Sequence, residues 1–241
     1  MKKLIAILLA LACVFSLAAC SVGGNGDLDQ TPANESEEQA LLDALSELIR
    51  TSEPNKSTVT TETGTKDIVL YSEMITQKGM LGDKEASLYT YEYETLNDLG
   101  DKNLKTVHFE SKEYVNDPNL GLRVDGGTWE SNASNFVRKI QPYRMTLDAA
   151  YIKDLRTDKE ETKFSFSVPQ DYVSDIFTNF DAKTLATINS DVSVYIETDG
   201  ASVLSIQIEY AMKSNVAQLK NPTVKIVATY DYHIQPITLL K

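Results

Sequence analysis

The stretch "DVSVYIETDGASVLSIQIEYAM", residues 191–212, decides the fold class of this chain. Apolar and polar residues alternate on both sides of Asp199-Gly200, which is a preferred two-residue hairpin turn. Each arm collects its apolar residues on one face: Val192, Val194 and Ile196 before the turn, and Leu204, Ile206, Ile208 and Tyr210 after it. This pattern predicts an antiparallel hairpin with one buried face.

The same alternation continues on both sides of this hairpin. A further strand is predicted in 222–234, and 150–169 reads as a hairpin that places Phe164, Phe166 and Val168 on one face. Earlier strands are predicted in 66–77, 87–96 and 104–115, with turn residues at 116–119 and 125–127. The chain is therefore predicted to be rich in antiparallel strands.

Three segments have helical periodicity instead. Residues 36–50 begin with Ser36 and Gln39 at capping-box spacing and carry a stripe of Leu41, Leu45, Leu48 and Ile49, with Leu42 on its flank. Residues 132–140 form a shorter segment, and 170–180 place Val173, Ile176, Phe177 and Phe180 on one face. We expect an α+β domain in which two or three helices cover one apolar face of an antiparallel sheet of about 9–11 strands.

The N-terminus carries a targeting signal. Lys2 and Lys3 precede an uncharged apolar run, 4–15, which fits a secretory signal peptide and is shorter than the roughly 20 residues that span a bilayer. The run ends in Leu17-Ala18-Ala19-Cys20, which resembles the lipobox of bacterial lipoproteins. That resemblance implies a diacylglyceryl group on the Cys20 sulfur and cleavage before Cys20. The alternative is an ordinary signal peptide cut after Ala19, with Cys20 an incidental thiol.

The domain boundaries follow from this signal. Residues 1–19 are the expected signal peptide, 20–35 the lipidated cysteine with a flexible Gly- and Pro-containing tether, and 36–241 a single folded domain. Cys13 would be removed with the leader, so no disulfide is expected in the mature chain. The predicted location is extracytoplasmic, on a bacterial cell membrane.

Charge and motifs exclude several functions. The net charge of −12 disfavours nucleic acid as a partner, and the scattered carboxylates form no calcium-loop motif. The only histidines are His108 and His233, and no metal-ligating, nucleophile-elbow or phosphate-loop motif is present. Asp231 and His233 share a strand face, but nothing in the sequence adds a hydrolytic serine. We expect a protein that is not an enzyme and has no metal or cofactor.

The order of these segments resembles that of the LolA-like and LppX/LprG-like extracytoplasmic lipoproteins. The resemblance rests on the lipobox and tether, the helix at 36–50, the "VDGGTW" turn at 124–129, the hairpin ending "FSFSVP", the second helix and the final three-stranded meander. It implies a half-barrel, a curved antiparallel sheet whose concave face holds the helices. It also implies that an apolar space between sheet and helices receives a lipid or acyl chain.

We therefore expect the domain to bind a lipid or another hydrophobic ligand non-covalently. The candidate ligand-binding residues are Tyr89, Tyr91, Tyr93, Trp129, Phe166, Ile206 and Ile208. Each of these also suits ordinary packing between sheet and helices. The alternative function is a non-enzymatic interaction or scaffold lipoprotein that joins a protein partner in a cell-envelope complex and has no ligand pocket. In either case a monomer is expected.

Overall fold

The computed structural model describes residues 28–81, 84–96, 102–103, 112–117, 120–124, 140, 142–178, 180–216 and 219–236. Within these ranges the chain forms three α-helices and thirteen strands. The helices are α1 (Glu35–Thr51), α2 (Val173–Ile176) and α3 (Ala182–Thr187). The strands before residue 125 are β1 (Lys56–Gly64), β2 (Val69–Leu81), β3 (Lys84–Tyr93), β4 (Thr95–Leu96), β5 (Lys102–Asn103), β6 (Lys112–Asp117) and β7 (Leu120–Val124). Those after residue 150 are β8 (Lys153–Thr157), β9 (Lys163–Val168), β10 (Val192–Thr198), β11 (Val203–Ala211), β12 (Thr223–Asp231) and β13 (Gln235–Pro236).

Eleven of the described strands form one open sheet. Ten of them follow the order β7-β6-β3-β2-β1-β12-β11-β10-β9-β8 with every neighbouring pair antiparallel, while β13 pairs with β2 in parallel. Strands β4 and β5 form a separate pair. The predicted α+β class and the antiparallel sheet are confirmed. Because β1 lies between β2 and β12, the two ends of the domain meet in the middle of the sheet.

The hairpin of residues 191–212 forms as predicted, but its turn is longer. Strands β10 and β11 pair Val194 with Ile208 and Ile196 with Ile206, and all four side chains are buried. The loop between the strands has four residues rather than two: the Asp199 carboxylate accepts hydrogen bonds from the N–H groups of Ala201 and Ser202, and Gly200 has a φ of 81°. The register shifts at Thr198, so that Val203 rather than Leu204 lies on the buried face.

The neighbouring strands bury the residues that the alternation selected. Phe164, Phe166 and Val168 of β9 are buried. So are the alternate residues Val224, Ile226, Ala228 and Tyr230 of β12. Strand β1 was not predicted, because "KSTVTTETG" has a single large apolar residue, Val59. Threonine favours extended backbone, and pairing with a strand on each side completes the hydrogen bonding of β1.

Helix α1 begins one residue earlier than predicted, and its cap is different. The Asn34 side chain accepts a hydrogen bond from the Glu37 N–H, and the Glu37 carboxylate accepts one from the Ala33 N–H. The predicted Ser36–Gln39 cap is therefore wrong, and the Gln39 side chain instead accepts a hydrogen bond from the Ala149 N–H at 3.0 Å. The buried stripe of α1 is Leu42, Leu45 and Ile49, while Leu41 and Leu48 are only partly buried.

The segment predicted as one helix over 170–180 is broken. A short 3₁₀ helix precedes α2, which is a single turn, and Phe177 is extended and pairs with Met145 in an isolated bridge. The Ile176 carbonyl accepts a hydrogen bond from the Thr146 N–H, so a tertiary contact replaces the next helical turn. Val173, Ile176 and Phe177 are nevertheless buried, as their spacing predicted. Helix α3, capped by the Asp181 side chain, was not predicted.

The core cluster is formed by α1, by the segments at 145–155 and 173–188, and by β9–β12. Leu42, Leu45 and Ile49 of α1 belong to one cluster with the buried residues of those strands. Ser52, the residue after α1, links the helix to the sheet: its hydroxyl donates to the Leu48 carbonyl at 2.7 Å and accepts from the Val203 N–H at 3.2 Å. Of the strand predicted at 104–115, residues 112–115 belong to β6 and 104–111 lie outside the described residues. Of the helix predicted at 132–140, only Ile140 is described.

Candidate functional site

Three of the residues predicted to bind a ligand lie in the core. Phe166 is 4% exposed, and Ile206 and Ile208 are fully buried. They share one packed cluster with Leu42 and Leu45 of α1. A ligand reaches these side chains only if part of this cluster moves aside. Their contact with a ligand stays a prediction.

The three tyrosines predicted for the same wall lie on β3. The register pairs Tyr89 with Thr76, Tyr91 with Met74 and Tyr93 with Ser72. Tyr93 is 39% exposed, and the side chains of Tyr89 and Tyr91 are outside what the structure describes. Trp129 and Cys20 also lie outside the described residues. The structure therefore separates Tyr93 from Phe166, Ile206 and Ile208, because β2, β1 and β12 lie between β3 and β11.

Side chains on the core-side face of the sheet are buried on β12 but partly exposed on the neighbouring strand β1. The register places Val59 beside Ala228, Thr61 beside Ile226 and Thr63 beside Val224. The β12 members of these pairs are buried, whereas all three β1 members are partly exposed. On the next strand, β2, the core-side residues are also partly exposed: Leu70, Ser72, Met74 and Thr76. We call these core-side residues of β1 and β2 the open half of the sheet.

A group of tyrosines marks the border between the packed half and the open half. The Tyr230 hydroxyl accepts a hydrogen bond from the Tyr143 N–H at 3.1 Å, and the Tyr232 hydroxyl donates to the Val203 carbonyl at 2.7 Å. Burial raises the pKa of Tyr230 above its ordinary value; the hydrogen bond from the Tyr143 N–H opposes this rise, and the nearby Tyr143 and Tyr232 phenols add smaller increases. Burial, with a smaller contribution from Tyr143, raises the pKa of Tyr210 to about 12. These phenols are held neutral at physiological pH, which suits an apolar border.

A cleft of about 550 Å³ lies beside the C-terminal half of α1. Its lining combines the apolar Ile49 and Met145 with the charged side chains of Asp43, Arg50 and Arg144. A hydrogen bond to Arg50 lowers the pKa of the exposed Glu47 carboxyl, which also lines this cleft. An acyl chain would meet charged groups there, so this cleft is a poor site for a hydrophobic ligand.

The described residues contain neither a metal-binding cluster nor a helix that could cross a membrane. In those ranges no group of three or more His, Cys, Asp or Glu side chains could hold a metal ion. No helix in the same part of the chain is long and apolar enough to cross a membrane. His233 is exposed, and its backbone N–H donates to the Asp231 carboxylate at 2.8 Å.

Comparison with known proteins does not place the chain in a family. No family model matches it, and no curated protein matches it. Among solved structures, it is similar to an inactive mutant of the CurK dehydratase at 8% identity and a TM-score of 0.17, over 86% of this chain and 83% of that one. The dehydratase domain from the CurK module of curacin polyketide synthase gives 9% identity and a TM-score of 0.15, over 83% of each chain. Scores this low do not indicate a shared fold, so nothing is transferred from these proteins.

Proposed function

We propose that this protein is a lipoprotein, anchored outside the cytoplasm through Cys20, whose domain binds a lipid or other hydrophobic ligand without catalysing a reaction. In this proposal the sheet is a half-barrel with the helices on its concave face. The observation that carries the proposal is that side chains on this face are buried on β9–β12 and partly exposed on β1 and β2. The core-side residues of β9–β12 are buried in one cluster with residues of α1 and other segments, whereas the open half on β1 and β2 keeps partly exposed side chains.

The chemistry of the open half suits an amphiphile. Val59, Leu70 and Met74 supply apolar surface, and burial of each methylene of an acyl chain against such surface contributes about 0.8 kcal/mol. The hydroxyls of Thr61 and Thr63 lie on the same face and accept or donate hydrogen bonds to a polar group of the ligand. A ligand bound there would extend the existing core instead of displacing α1 from Phe166 and Ile206.

Native mass spectrometry tests this proposal. The mature chain, residues 20–241, is purified from bacteria with Cys20→Ser so that no covalent lipid is present, and is then titrated with a fluorescent fatty acid. We expect a co-purified or added lipid at one per chain. Val59→Asp should abolish uptake, because the carboxylate would be desolvated by the acyl chain. Thr60→Asp is the matched control, since Thr60 is the next residue along β1 and lies on the opposite face. An apo mass with no uptake by the unsubstituted chain would refute the proposal.

A second candidate function is an interaction module that binds an envelope protein. The observation that favours it is the composition of the open half, where Ser72, Thr61, Thr63 and Thr76 outnumber the large apolar residues. Hydroxyl-rich surfaces with tyrosine are typical of protein-binding paratopes. Cross-linking in intact cells followed by recovery of one partner in equal amount, lost in Val59→Asp and kept in Thr60→Asp, would favour this function over lipid binding.

The anchor itself has a separate test. Two acyl chains hold a protein on a membrane far more stably than one, so the unsubstituted chain should partition into the detergent phase of Triton X-114. Cys20→Ser should move the protein to the aqueous phase. Ser21→Ala, one residue further on, is the control and should not change the partition. A Cys20→Ser chain that has lost residues 1–19, as its mass shows, and still stays in the detergent phase would contradict lipidation at this residue.

A further inference from the structure

The outer face of the sheet, opposite the core, carries a groove of about 440 Å³ across β8–β11. Small-molecule sites occupy about 300–1,000 Å³, so the groove is large enough for a ligand. The strand register arranges its residues in rows: Ser167, Ser193 and Glu209 form one, and Ser165, Tyr195 and Gln207 the next. The two rows cover about 10 Å across the strands and about 7 Å along them.

Five polar side chains of this groove have no partner among the described residues. The side chains of Ser165, Ser167, Ser193, Tyr195 and Arg156 make no hydrogen bond or ion pair within the part of the chain that the structure describes. By contrast, the Gln207 amide is already oriented, because it donates to the Glu209 carboxylate at 3.0 Å. The serine hydroxyls and the Gln207 amide can hydrogen-bond a ligand, and the Tyr195 ring offers it an apolar surface.

A bulge in the edge strand shapes one wall of the groove. The pairing of β8 with β9 shifts between Lys153 and Arg156, and Asp154 within that shift has a φ of 56°. A positive φ is uncommon for residues other than glycine. Bulges are frequent next to binding sites, where they change the direction of a side chain. Here both Asp154 and Arg156 line the groove.

The charges of the groove decide the class of ligand. Among the described residues the groove is lined by the cationic Arg156 and by the carboxylates of Asp154 and Glu209, and the Lys225 ammonium lies 3.6 Å from the Glu209 carboxylate, so the charges are nearly balanced. This balance disfavours phosphate and other anions. A peptide strand is disfavoured as well, since the backbone groups of β9, β10 and β11 are already paired on both sides. A neutral polyhydroxylated ligand remains, since sugar hydroxyls satisfy serine, amide and carboxylate groups together and a sugar ring stacks on Tyr195.

We propose that this groove is a carbohydrate-binding site. The proposal does not depend on the lipid site, which lies on the other face of the sheet. Leu28 lines the groove, and Gln30 pairs with Thr157 at the outer edge of β8, so the chain from the anchor joins the domain at this point. The stretch available as a tether is thus shorter than residues 20–35. If Cys20 carries the lipid, the groove lies within roughly 30 Å of the anchored sulfur, near the sugars of the envelope surface.

Two sources of sugar are distinguished by saturation-transfer NMR and vesicle flotation on the mature chain with Cys20→Ser. The soluble probes are trimers of N-acetylglucosamine, maltose-type glucose and cellulose-type glucose. The vesicles are phosphatidylcholine with or without monoglucosyl diacylglycerol. Transfer to a soluble trimer would identify a free or wall glycan, and flotation only with the glycolipid would identify a lipid headgroup.

Two substitutions in the groove test whether the sugar binds there. Tyr195→Ser and Arg156→Gln should each weaken binding about tenfold, because each removes stacking or hydrogen bonds to the ligand. Tyr71→Ser is the control, since Tyr71 is an exposed tyrosine on the same outer face, four strands away on β2. Circular dichroism checks that all three variants fold. Absence of binding to every probe, equal loss in Tyr71→Ser, or displacement by inorganic phosphate would overturn the proposal.

Discussion

Replacement of Ser52 by alanine tests how α1 is fastened to the sheet. Ser52 is 4% exposed, and its hydroxyl joins the last turn of α1 to the first residue of β11. Alanine removes the acceptor of the Val203 N–H, which lies at a fully buried residue. A buried donor left without a partner costs about 1–3 kcal/mol. The substitution should therefore lower the free energy of unfolding by about 2 kcal/mol, or the melting temperature by about 4–8 °C for a domain of this size.

Urea unfolding followed by circular dichroism measures this loss on the mature chain with Cys20→Ser. Thr51→Ala is the matched control, because the Thr51 hydroxyl makes the same type of bond, to the Glu47 carbonyl at 2.7 Å, but is exposed. Its effect should stay within about 0.5 kcal/mol. Equal losses in the two variants, or no loss in Ser52→Ala, would show that the bond to Val203 does not fasten the helix.

Three further predictions follow from local features. Asn34→Ala should cost about 1 kcal/mol in urea unfolding because it removes the cap of α1, whereas Ser36→Ala should change little; the reverse order would restore Ser36 as the cap. Between about pH 10 and the folded pKa of about 12, the unfolded chain loses the Tyr210 proton and the fold keeps it, so stability falls as pH rises. Tyr210→Phe should flatten that decline in urea titrations at high pH, and an unchanged slope would contradict this assignment. Gly64→Ala should lower the melting temperature, because a Cβ there would overlap the Ile68 carbonyl oxygen, and an unchanged value would mean that the β1–β2 turn shifts freely.

The strands that alternate strongly were predictable from the sequence. In β9–β12 the buried face follows the apolar residues one by one, apart from the shift at Val203. Strand β1 was not predictable in this way, because its stability comes from two paired neighbours rather than from apolar side chains of its own. The break after Ile176 depends on Met145, about thirty residues earlier, and no local window contains both.

The candidate site was harder to predict than the fold. Alternation identifies Phe166, Ile206 and Ile208 as inward-facing, but a core position and a ligand wall select the same residue types. The groove on the outer face was missed because serines that alternate with apolar residues are typical of a solvent-exposed face. Only the register brings the serines of β9 and β10 beside Gln207. The left-handed backbone of Asp154 marks the wall of this groove in the structure, but the amino-acid sequence does not reveal that conformation.

The position of β1 also affects the order in which the chain can fold. The Thr58 carbonyl and the Thr229 hydroxyl are hydrogen-bonded across 171 positions of sequence, so β1 gains its second neighbour only when nearly the whole chain is available. Contacts of such long range slow folding. The core cluster that contains α1 also needs β11 and β12, which come about 150 residues or more after α1 in the chain. If the chain is exported as proposed above, pairing that waits for β12 would keep the precursor unfolded until the membrane is reached.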